Sequence, residues 1–359
     1  MVISNAAAGD PYRIDTLFLY MANMAWNSSM NTAQVMEMLT ATDEAGGYVI
    51  PHIIYSDAYS SETVAFADLI LPDTTYLERH DCISLLDRPI CEPDAVADAI
   101  RWPVVEPDRP GHEGVRGFQS VLLDLGVRLG LPGMVDDAGA AMYADYADYM
   151  TNHQRRPGVG PLAGFRGPDG EGKGRGDPNP DQIARYIENG GFWTDHIPEE
   201  AAFFKPWNAA YQDWAVERGL FDAPQPYLFQ IYVEPLAKFQ AAATGKGPHQ
   251  PPEHLRAQLT QAMSPLPVWY PPLSDARIDL AEYPLHALTQ RPAAMYHSWG
   301  SQNAWLRQIH GHNPLYVPPN IWRQHDFAEG DWAHLTSPHG RITVPVALME
   351  ALNPNTVWT

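Results

Sequence analysis

The residues of this 359-residue chain best suited to binding a ligand follow two short apolar stretches near its start. They are Asn23, which follows the first stretch, and Asp57, Ser61, Glu62 and Thr63, which follow the second. A carboxylate can accept hydrogen bonds from a nucleobase or a ribose, and hydroxyls with free N–H groups at a helix start can hold an anion. The alternative is structural: Ser60 or Ser61 caps the next helix, and Asn23 lies in a polar loop.

A second group of polar side chains surrounds one glycine late in the chain. Its members are Arg291, His297, Ser298, Trp299, Gly300, Ser301, Gln302 and Asn303. A polar heterocycle with many hydrogen-bonding edges needs a loop rich in donors and acceptors. An ordinary surface turn with one anchoring tryptophan is an equally good interpretation of the same residues.

Other constellations of reactive residues are incomplete. His310 and His312 are two positions apart, and no carboxylate completes a metal-ligand set at helical spacing. Cys82 and Cys91 are too few for a four-cysteine iron–sulfur site. No GxSxG elbow of a serine hydrolase occurs. The sequence therefore indicates no metal ligands in this chain and leaves its catalytic residues unknown.

The charge and hydropathy of the chain exclude two classes of protein. It has 43 acidic and 23 basic residues, a formal net charge of −20, which repels the phosphate backbone of nucleic acids. No stretch of about 18 apolar residues occurs, so we expect no membrane-spanning helix. These features argue against a nucleic-acid-binding protein and against an integral membrane protein.

Alternating strands and helices must position the first polar group. The apolar patterns predict strands at Thr16–Tyr20, Tyr48–Tyr55 and Leu69–Leu71, and a short helix at Glu62–Ala67. A helix after Thr32 separates the first two strands. This alternation is typical of a parallel α/β sheet, and ligands bind such sheets at the carboxyl ends of the strands. An amphipathic helix is predicted further on, at Phe118–Gly130.

The middle of the chain is more irregular. Pro157–Pro180 is rich in glycine and proline and predicts a flexible loop, and Pro248–Pro272 predicts another irregular stretch. Between them, helices are predicted at Asp181–Gly190 and Pro198–Gly219, and a strand at Tyr227–Val233.

The last eighty or so residues alternate apolar and polar side chains. Ala333–Thr336 and Arg341–Leu348 predict two strands joined by a turn, which is typical of a barrel or sandwich. Together the patterns predict an α/β segment first, then an irregular segment rich in glycine and proline, and then a barrel or sandwich.

Three motifs, in this order, resemble the dimethyl-sulfoxide-reductase family of molybdopterin oxidoreductases. The first is Ile53–Glu78, with an aspartate, a hydroxyl-rich turn, a small helix and then ADLILP. The second is Leu288–Ser298, which resembles the pterin-contacting loop that opens the family's final barrel. The third is the hairpin Glu329–Gly340. The resemblance covers roughly residues 12–130 and 280–359.

The resemblance implies a fold, a cofactor and roles for the candidate residues. The fold would be a Rossmann-like parallel sheet in an α/β dinucleotide-binding domain at 1–140 and an irregular α-rich insertion or linker with a Gly/Pro-rich loop at 141–280. The start of a C-terminal dinucleotide-binding β-barrel of the double-psi type would follow at 281–359, truncated in this chain. The cofactor would be molybdenum bis(molybdopterin guanine dinucleotide). Asp57 would bind the guanosine of one dinucleotide, Ser61 its ribose or phosphate side, and Asn23 would lie near the pyrophosphate. Arg291 and the loop His297–Asn303 would contact the pterin or phosphates.

Details such as NMAWNSSMNT at 23–32 are most similar to membrane-associated sulfite dehydrogenases. They imply two-electron redox of a small sulfur oxyanion, with sulfite oxidation favoured and polysulfide or thiosulfate reduction as the alternative. Expected partners are an iron–sulfur electron-transfer subunit plus a membrane-anchor subunit, on the cytoplasmic side or, alternatively, in the periplasm. The [4Fe–4S] cluster and the metal ligand would lie outside this chain, so we expect a fragment that is inactive alone. From another class, a guanine-nucleotide-binding or interaction module without redox chemistry also fits the residues.

Overall fold

The structure of the chain is a computed structural model. It describes residues 2–23, 32–83, 90–92, 95–162, 176–224, 233–266, 269, 278–290, 292–295 and 299–359. Among these residues, no helix is both long enough and apolar enough to cross a bilayer. The chain folds as two compact units, Met1–Tyr227 and Leu228–Thr359. The division into segments 1–140, 141–280 and 281–359 remains a prediction.

A three-stranded parallel sheet lies at the start of the first unit. Its strands are β1 (Thr16–Tyr20), β2 (His52–Asp57) and β3 (Leu69–Pro72), in the order β1-β2-β3. β2 begins after Pro51 and not at the predicted Tyr48, because proline has no N–H to donate to a strand ladder. The predicted parallel α/β sheet is confirmed.

Apolar side chains from this sheet and two helices, α1 (Val2–Ala8) and α2 (Thr32–Leu39), form one core. Its buried members are Ile3, Ala6, Leu17, Leu19, Val35, Leu39, Ile50, Ile53 and Tyr55. Val35 and Leu39 lie one turn apart on α2, so the helical period places both on the buried face. A 3-10 helix, Glu62–Phe66, stands where a short helix was predicted.

The first unit also contains an antiparallel sheet that the sequence patterns did not predict. β4 (Asp81–Ile83), β5 (Ile90–Glu92) and β7 (Phe192–His196) each pair with the central strand β6 (Ala95–Arg101). β6 and β7 are far apart in the chain, since Ala95 pairs with His196. Local periodicity carries no information on such a long-range pairing.

Four α-helices complete the described part of the first unit. They are α3 (Phe118–Arg128), α4 (Tyr146–Asn152), α5 (Gln182–Glu188) and α6 (Ala209–Glu217). α3 and α5 confirm two predicted helices. The prediction of one long helix over Pro198–Gly219 was wrong in its first half, because two short 3-10 turns precede α6.

The second unit begins with two helices, α7 (Val233–Ala243) and α8 (Glu253–Ala262). α8 corrects the prediction of an irregular Pro248–Pro272, because the stretch between the flanking prolines is rich in good helix formers. Most of the strand predicted at Tyr227–Val233 lies outside the described residues, and its last residue begins α7.

A five-stranded mixed sheet forms the rest of the second unit, in the order β10-β11-β9-β12-β8. The strands are β8 (His286–Leu288), β9 (Leu315–Val317), β10 (Trp332–Ser337), β11 (Gly340–Leu348) and β12 (Thr356–Trp358). The helices α9 (Ala304–Ile309) and α10 (Pro319–Gln324) lie between strands in the chain. The predicted hairpin is confirmed, because Ser337 pairs with Gly340 across its turn. The apolar core beside this five-stranded sheet consists of Leu315, Val317, Ile321, Val344 and Val357.

Candidate functional site

The carboxyl ends of β1, β2 and β3 lie at one edge of the parallel sheet, where ligands bind in folds of this type. Asn23 follows β1, Asp57 is the last residue of β2, and Asp73 follows β3 directly. The side chains of these residues are buried, with 4% of Asn23, 7% of Asp57 and 4% of Asp73 exposed. The structure therefore brings together the candidates from separate strands and adds an aspartate that the sequence interpretation omitted.

Asp57 and Ser61 are joined by a tyrosine. The hydroxyl of Tyr55 donates to Oδ2 of Asp57 at 2.7 Å and lies 2.8 Å from Oγ of Ser61. The backbone N–H of Tyr59 donates to Oδ1 of Asp57 at 3.1 Å. Within the described residues each carboxylate oxygen thus accepts one hydrogen bond, which leaves capacity on each for a further donor.

Ser61 has the position of a helix N-cap, as the structural alternative predicts, but it does not make the hydrogen bond of one. Ser61 stands at the N-cap of the 3-10 helix Glu62–Phe66, yet its side chain makes no capping hydrogen bond among the described residues. Its hydroxyl bonds to Tyr55 instead. Helix capping therefore does not account for the serine hydroxyl at this position.

Asn23 connects the end of β1 to the turn after β2. Its Nδ2 donates to Oε2 of Glu62 at 2.6 Å, and its Oδ1 accepts from Oγ1 of Thr63 at 2.6 Å. The backbone N–H of Thr63 donates to the same oxygen at 3.3 Å. All five predicted residues of the first group thus take part in one of two hydrogen-bond networks at this edge: Asp57 and Ser61 in the first, Asn23, Glu62 and Thr63 in the second.

A second cluster at the same edge was missed by sequence reasoning. Nη1 of Arg79 donates to Oδ2 of Asp73 at 3.0 Å, and the backbone N–H of Phe118 donates to Oδ1 at 2.8 Å. Burial, with help from Asp73, raises the pKa of Tyr20 to about 12. Asp73 follows a predicted strand, as Asp57 does, so its position alone could have marked it as a candidate site residue. The hydrogen bond from Phe118 to Asp73 fixes the start of α3 against the end of β3.

Two further residues of the first motif have structural partners. Oδ2 of Asp68 accepts from the backbone N–H of Ile53 at 2.8 Å. Oε2 of Glu78 accepts from the N–H and from Oγ1 of Thr75, both at 2.8 Å, and its other oxygen pairs with Arg109. Burial raises the pKa of Glu78, but the hydrogen bonds from Thr75 and Arg109 outweigh it and lower the pKa overall. Asp68 and Glu78 therefore hold the strand and turn in place.

The glycine loop of the second unit is described from Trp299 onward, while Arg291, His297 and Ser298 lie outside the described residues. Gly300 has φ +102°, and a Cβ at this position would lie 2.7 Å from the carbonyl oxygen of Ala294. Only glycine fits such a close backbone approach without displacement.

Asn303 ends this loop as the N-cap of α9. Its Oδ1 accepts from the N–H groups of Trp305 and Leu306 at 2.9 and 3.2 Å. These capping bonds engage the side-chain oxygen of Asn303 at the start of the helix. Ser301 and Gln302 are exposed. The roles of the loop residues in cofactor binding remain predictions.

The chemistry of the first edge fits a nucleoside. The carboxylate of Asp57 accepts hydrogen bonds, and guanine presents two adjacent N–H donors that match a carboxylate. No group of three or more His, Cys, Asp or Glu side chains in the described ranges could hold a metal ion.

Comparison with known proteins shows which class of protein the chain is similar to. Residues 285–359, which include the five-stranded sheet, match the family described as the Molydopterin dinucleotide binding domain. The resemblance to the molybdopterin oxidoreductases that the sequence predicts is thereby confirmed.

Among particular proteins, the chain is similar to one of the subunits of the sulfite dehydrogenase of Allochromatium vinosum. The two chains are 47% identical over 361 residues, which cover 100% of this chain and 37% of the relative. The fold is similar to that of acetylene hydratase from Pelobacter acetylenicus, with a TM-score of 0.59 and 16% identity over 99% of this chain and 38% of that protein. The chain therefore spans little more than a third of the length of either protein.

Proposed function

We propose that this chain is the nucleotide-holding part of a molybdenum oxidoreductase that binds bis(molybdopterin guanine dinucleotide) and oxidises sulfite. The observation that carries the proposal is the 47% identity to a sulfite dehydrogenase subunit, which extends over the whole chain. The match of residues 285–359 to a dinucleotide-binding domain supports the cofactor class independently.

The residues of the chain would bind and orient the cofactor. Asp57 and Ser61 would hold the guanosine of one dinucleotide at the carboxyl edge of the first sheet, where their acceptor groups meet its donors. Asn23 would lie near the pyrophosphate. The loop around Gly300, together with Arg291 and His297, would contact the pterin or phosphates. When bound, the molybdenum cofactor would supply the two-electron redox chemistry.

The proposal extends to parts and partners of the protein. The second-unit sheet would form one side of a double-psi β-barrel, and a [4Fe–4S] cluster would be bound elsewhere in the protein. Because the curated relative is named as one subunit of its enzyme, we propose partner subunits here too. These would be an iron–sulfur electron-transfer subunit plus a membrane anchor, with the complex on the cytoplasmic face of the membrane or, alternatively, in the periplasm.

Analysis of the complete protein tests the proposal. We expect purified protein to contain molybdenum and to release GMP on acid hydrolysis. It should also reduce an artificial electron acceptor in a sulfite-dependent manner. Reduction of polysulfide or thiosulfate without sulfite oxidation would favour the reductase alternative. Tight binding of GDP by protein that never acquires molybdenum would instead identify a module without redox chemistry.

A further inference from the structure

Tyr55 occupies the centre of the network that joins Asp57 to Ser61. It is 1% exposed, and its hydroxyl lies 2.7 Å from Oδ2 of Asp57 and 2.8 Å from Oγ of Ser61. Burial raises the pKa of Tyr55 well above its usual value, so its hydroxyl keeps its proton. The tyrosine is therefore a fixed donor beneath the proposed guanosine site.

The direction of each hydrogen bond in this network follows from the number of protons. A carboxylate can only accept, so the single hydroxyl proton of Tyr55 points at Asp57. The bond between Tyr55 and Ser61 must then be donated by the serine. With its proton committed, the Ser61 hydroxyl can only accept a further hydrogen bond. Both Asp57 and Ser61 thus present acceptors to a ligand.

This arrangement selects for ligand groups that donate hydrogen bonds. Guanine offers N1–H and the 2-amino group side by side, and a ribose offers hydroxyls. Phosphate oxygens only accept, and the carboxylate of Asp57 would repel them. The Asp57 and Ser61 pair is therefore suited to the base and ribose of a nucleotide, and its phosphates would lie away from this pair.

We propose that Tyr55 is the positioning residue that sets the preference of this edge for guanine. The Tyr55 hydroxyl donates to Oδ2 of Asp57 and accepts the proton of Ser61. It thereby holds the carboxylate in the orientation that accepts from the N1–H and 2-amino groups of guanine. The inference rests on the proposed function, because it assumes that a guanine nucleotide binds here. Inosine nucleotides, which lack the 2-amino group, report on this alignment directly.

Calorimetric titration of the complete, cofactor-free protein with GDP and with IDP tests the role of Tyr55. We expect the parent to bind GDP more tightly than IDP. Tyr55→Phe removes one hydrogen bond to a carboxylate and should reduce the ratio of the two affinities by roughly three- to tenfold. The matched control is Tyr186→Phe on α5, which removes another buried hydroxyl that donates to a carboxylate, that of Asp98 on β6, and not to Asp57. It should leave the ratio unchanged.

The outcomes separate this inference from the proposed function. If the parent protein binds neither nucleotide, both fail. If the parent prefers GDP and Tyr55→Phe keeps the full preference, the role of Tyr55 is wrong while the proposed function stands. General destabilisation would lower both affinities together and would leave their ratio unchanged.

A second variant keeps the inference testable if Tyr55→Phe does not fold. Ser61→Ala removes an acceptor for the ribose that GDP and IDP share, so both nucleotides should bind more weakly. It leaves the hydrogen bond from Tyr55 to Asp57 in place, so the ratio of the GDP and IDP affinities should stay within about twofold of the parent. Collapse of the ratio in Ser61→Ala would assign the guanine preference to the serine and overturn the role of Tyr55.

Discussion

Asp57 is the residue on which the proposed nucleotide site depends most. It lies at the end of β2 with 7% of its surface exposed, where a carboxylate without partners would cost several kcal/mol. Tyr55 and the N–H of Tyr59 supply two donors and reduce that cost. The carboxylate can thus persist near the surface with acceptor capacity left for a ligand.

Asp57→Ala in the complete protein should lower its molybdenum and guanine content. The substitution leaves a guanine donor pair and the Tyr55 hydroxyl without their acceptor, a loss of about 1–3 kcal/mol in binding. Metal analysis and GMP release after acid hydrolysis measure the effect. Asp124→Ala on α3, which removes an exposed partner of Arg116, is the matched control. Equal cofactor content in Asp57→Ala and the parent would contradict the assignment.

At the scale of elements, Asp68 fixes the start of β2 relative to β3. Its carboxylate accepts from the N–H of Ile53, and its own N–H donates to the carbonyl oxygen of Ile53 at 2.8 Å. This reciprocal pair holds the register in which Ile54 lies opposite Leu69. Asp68 belongs to the first of the three family motifs, yet its partners are backbone groups of the sheet. Its role is therefore to hold β2 and β3 in register.

Asp68→Ala should destabilise the sheet, because the Ile53 N–H loses its acceptor. We expect a loss of about 1–2 kcal/mol in the free energy of unfolding, moderated by the exposure of Asp68. Asp68→Asn, which retains an acceptor oxygen, should lose clearly less. Urea unfolding measures both variants. Equal losses would show that the charge of Asp68, and not the hydrogen bond, stabilises the protein.

The loop before α9 offers a test of glycine geometry. Gly300→Ala combines a positive φ with a Cβ that would lie 2.7 Å from a carbonyl oxygen, so we expect a loss of about 2–4 kcal/mol in unfolding free energy. Gly330 is the matched control, because it has φ +92° with no atom within 4 Å of a Cβ. Gly330→Ala should lose about 1–2 kcal/mol. Similar losses would mean that the loop relaxes around the new methyl group.

The sequence predicted the elements that have a strong hydropathy pattern of their own. It did not predict the strands that form only by pairing with distant parts of the chain. β1 follows from a short continuous apolar run, and the β10–β11 hairpin follows from apolar residues of period two on either side of a turn. β6 has little such pattern, since AVADAIR places an aspartate in its centre. That aspartate, Asp98, is 2% exposed and accepts a hydrogen bond from Tyr186 on α5. A strand whose central aspartate is buried against a tyrosine 88 positions away cannot be predicted from its own few residues.

At the scale of the whole chain, each unit has its own apolar core. Ile53 belongs to the first core and Val317 to the core of the second-unit sheet, and the two clusters share no residue. Stability changes at sites without shared partners usually add within about 0.5 kcal/mol. The effects of substituting Ile53 and Val317 should therefore add.

A double-mutant cycle with Ile53→Val and Val317→Ala tests this independence. We expect losses of about 0.5–1.5 kcal/mol for Ile53→Val and about 1–3 kcal/mol for Val317→Ala, with a coupling energy below about 0.5 kcal/mol. Denaturant unfolding of the parent, both single variants and the double variant supplies the values. A coupling energy above about 1 kcal/mol would contradict this additivity and show that the two substituted sites interact.

The sequence by itself determined the family resemblance, the parallel sheet and the candidates at its edge, because strand ends, polar turns and ordered motifs are local features. Asn23 and Asp57 could be chosen from their positions after two apolar stretches. Only the tertiary structure decided that Tyr55 bridges Asp57 and Ser61, and that Asp73 pairs with Arg79. Hydrogen-bond direction and burial depend on which side chains meet in space. Folding, and not spacing along the chain, makes Asp57 and Ser61 hydrogen-bond acceptors at the edge of the sheet.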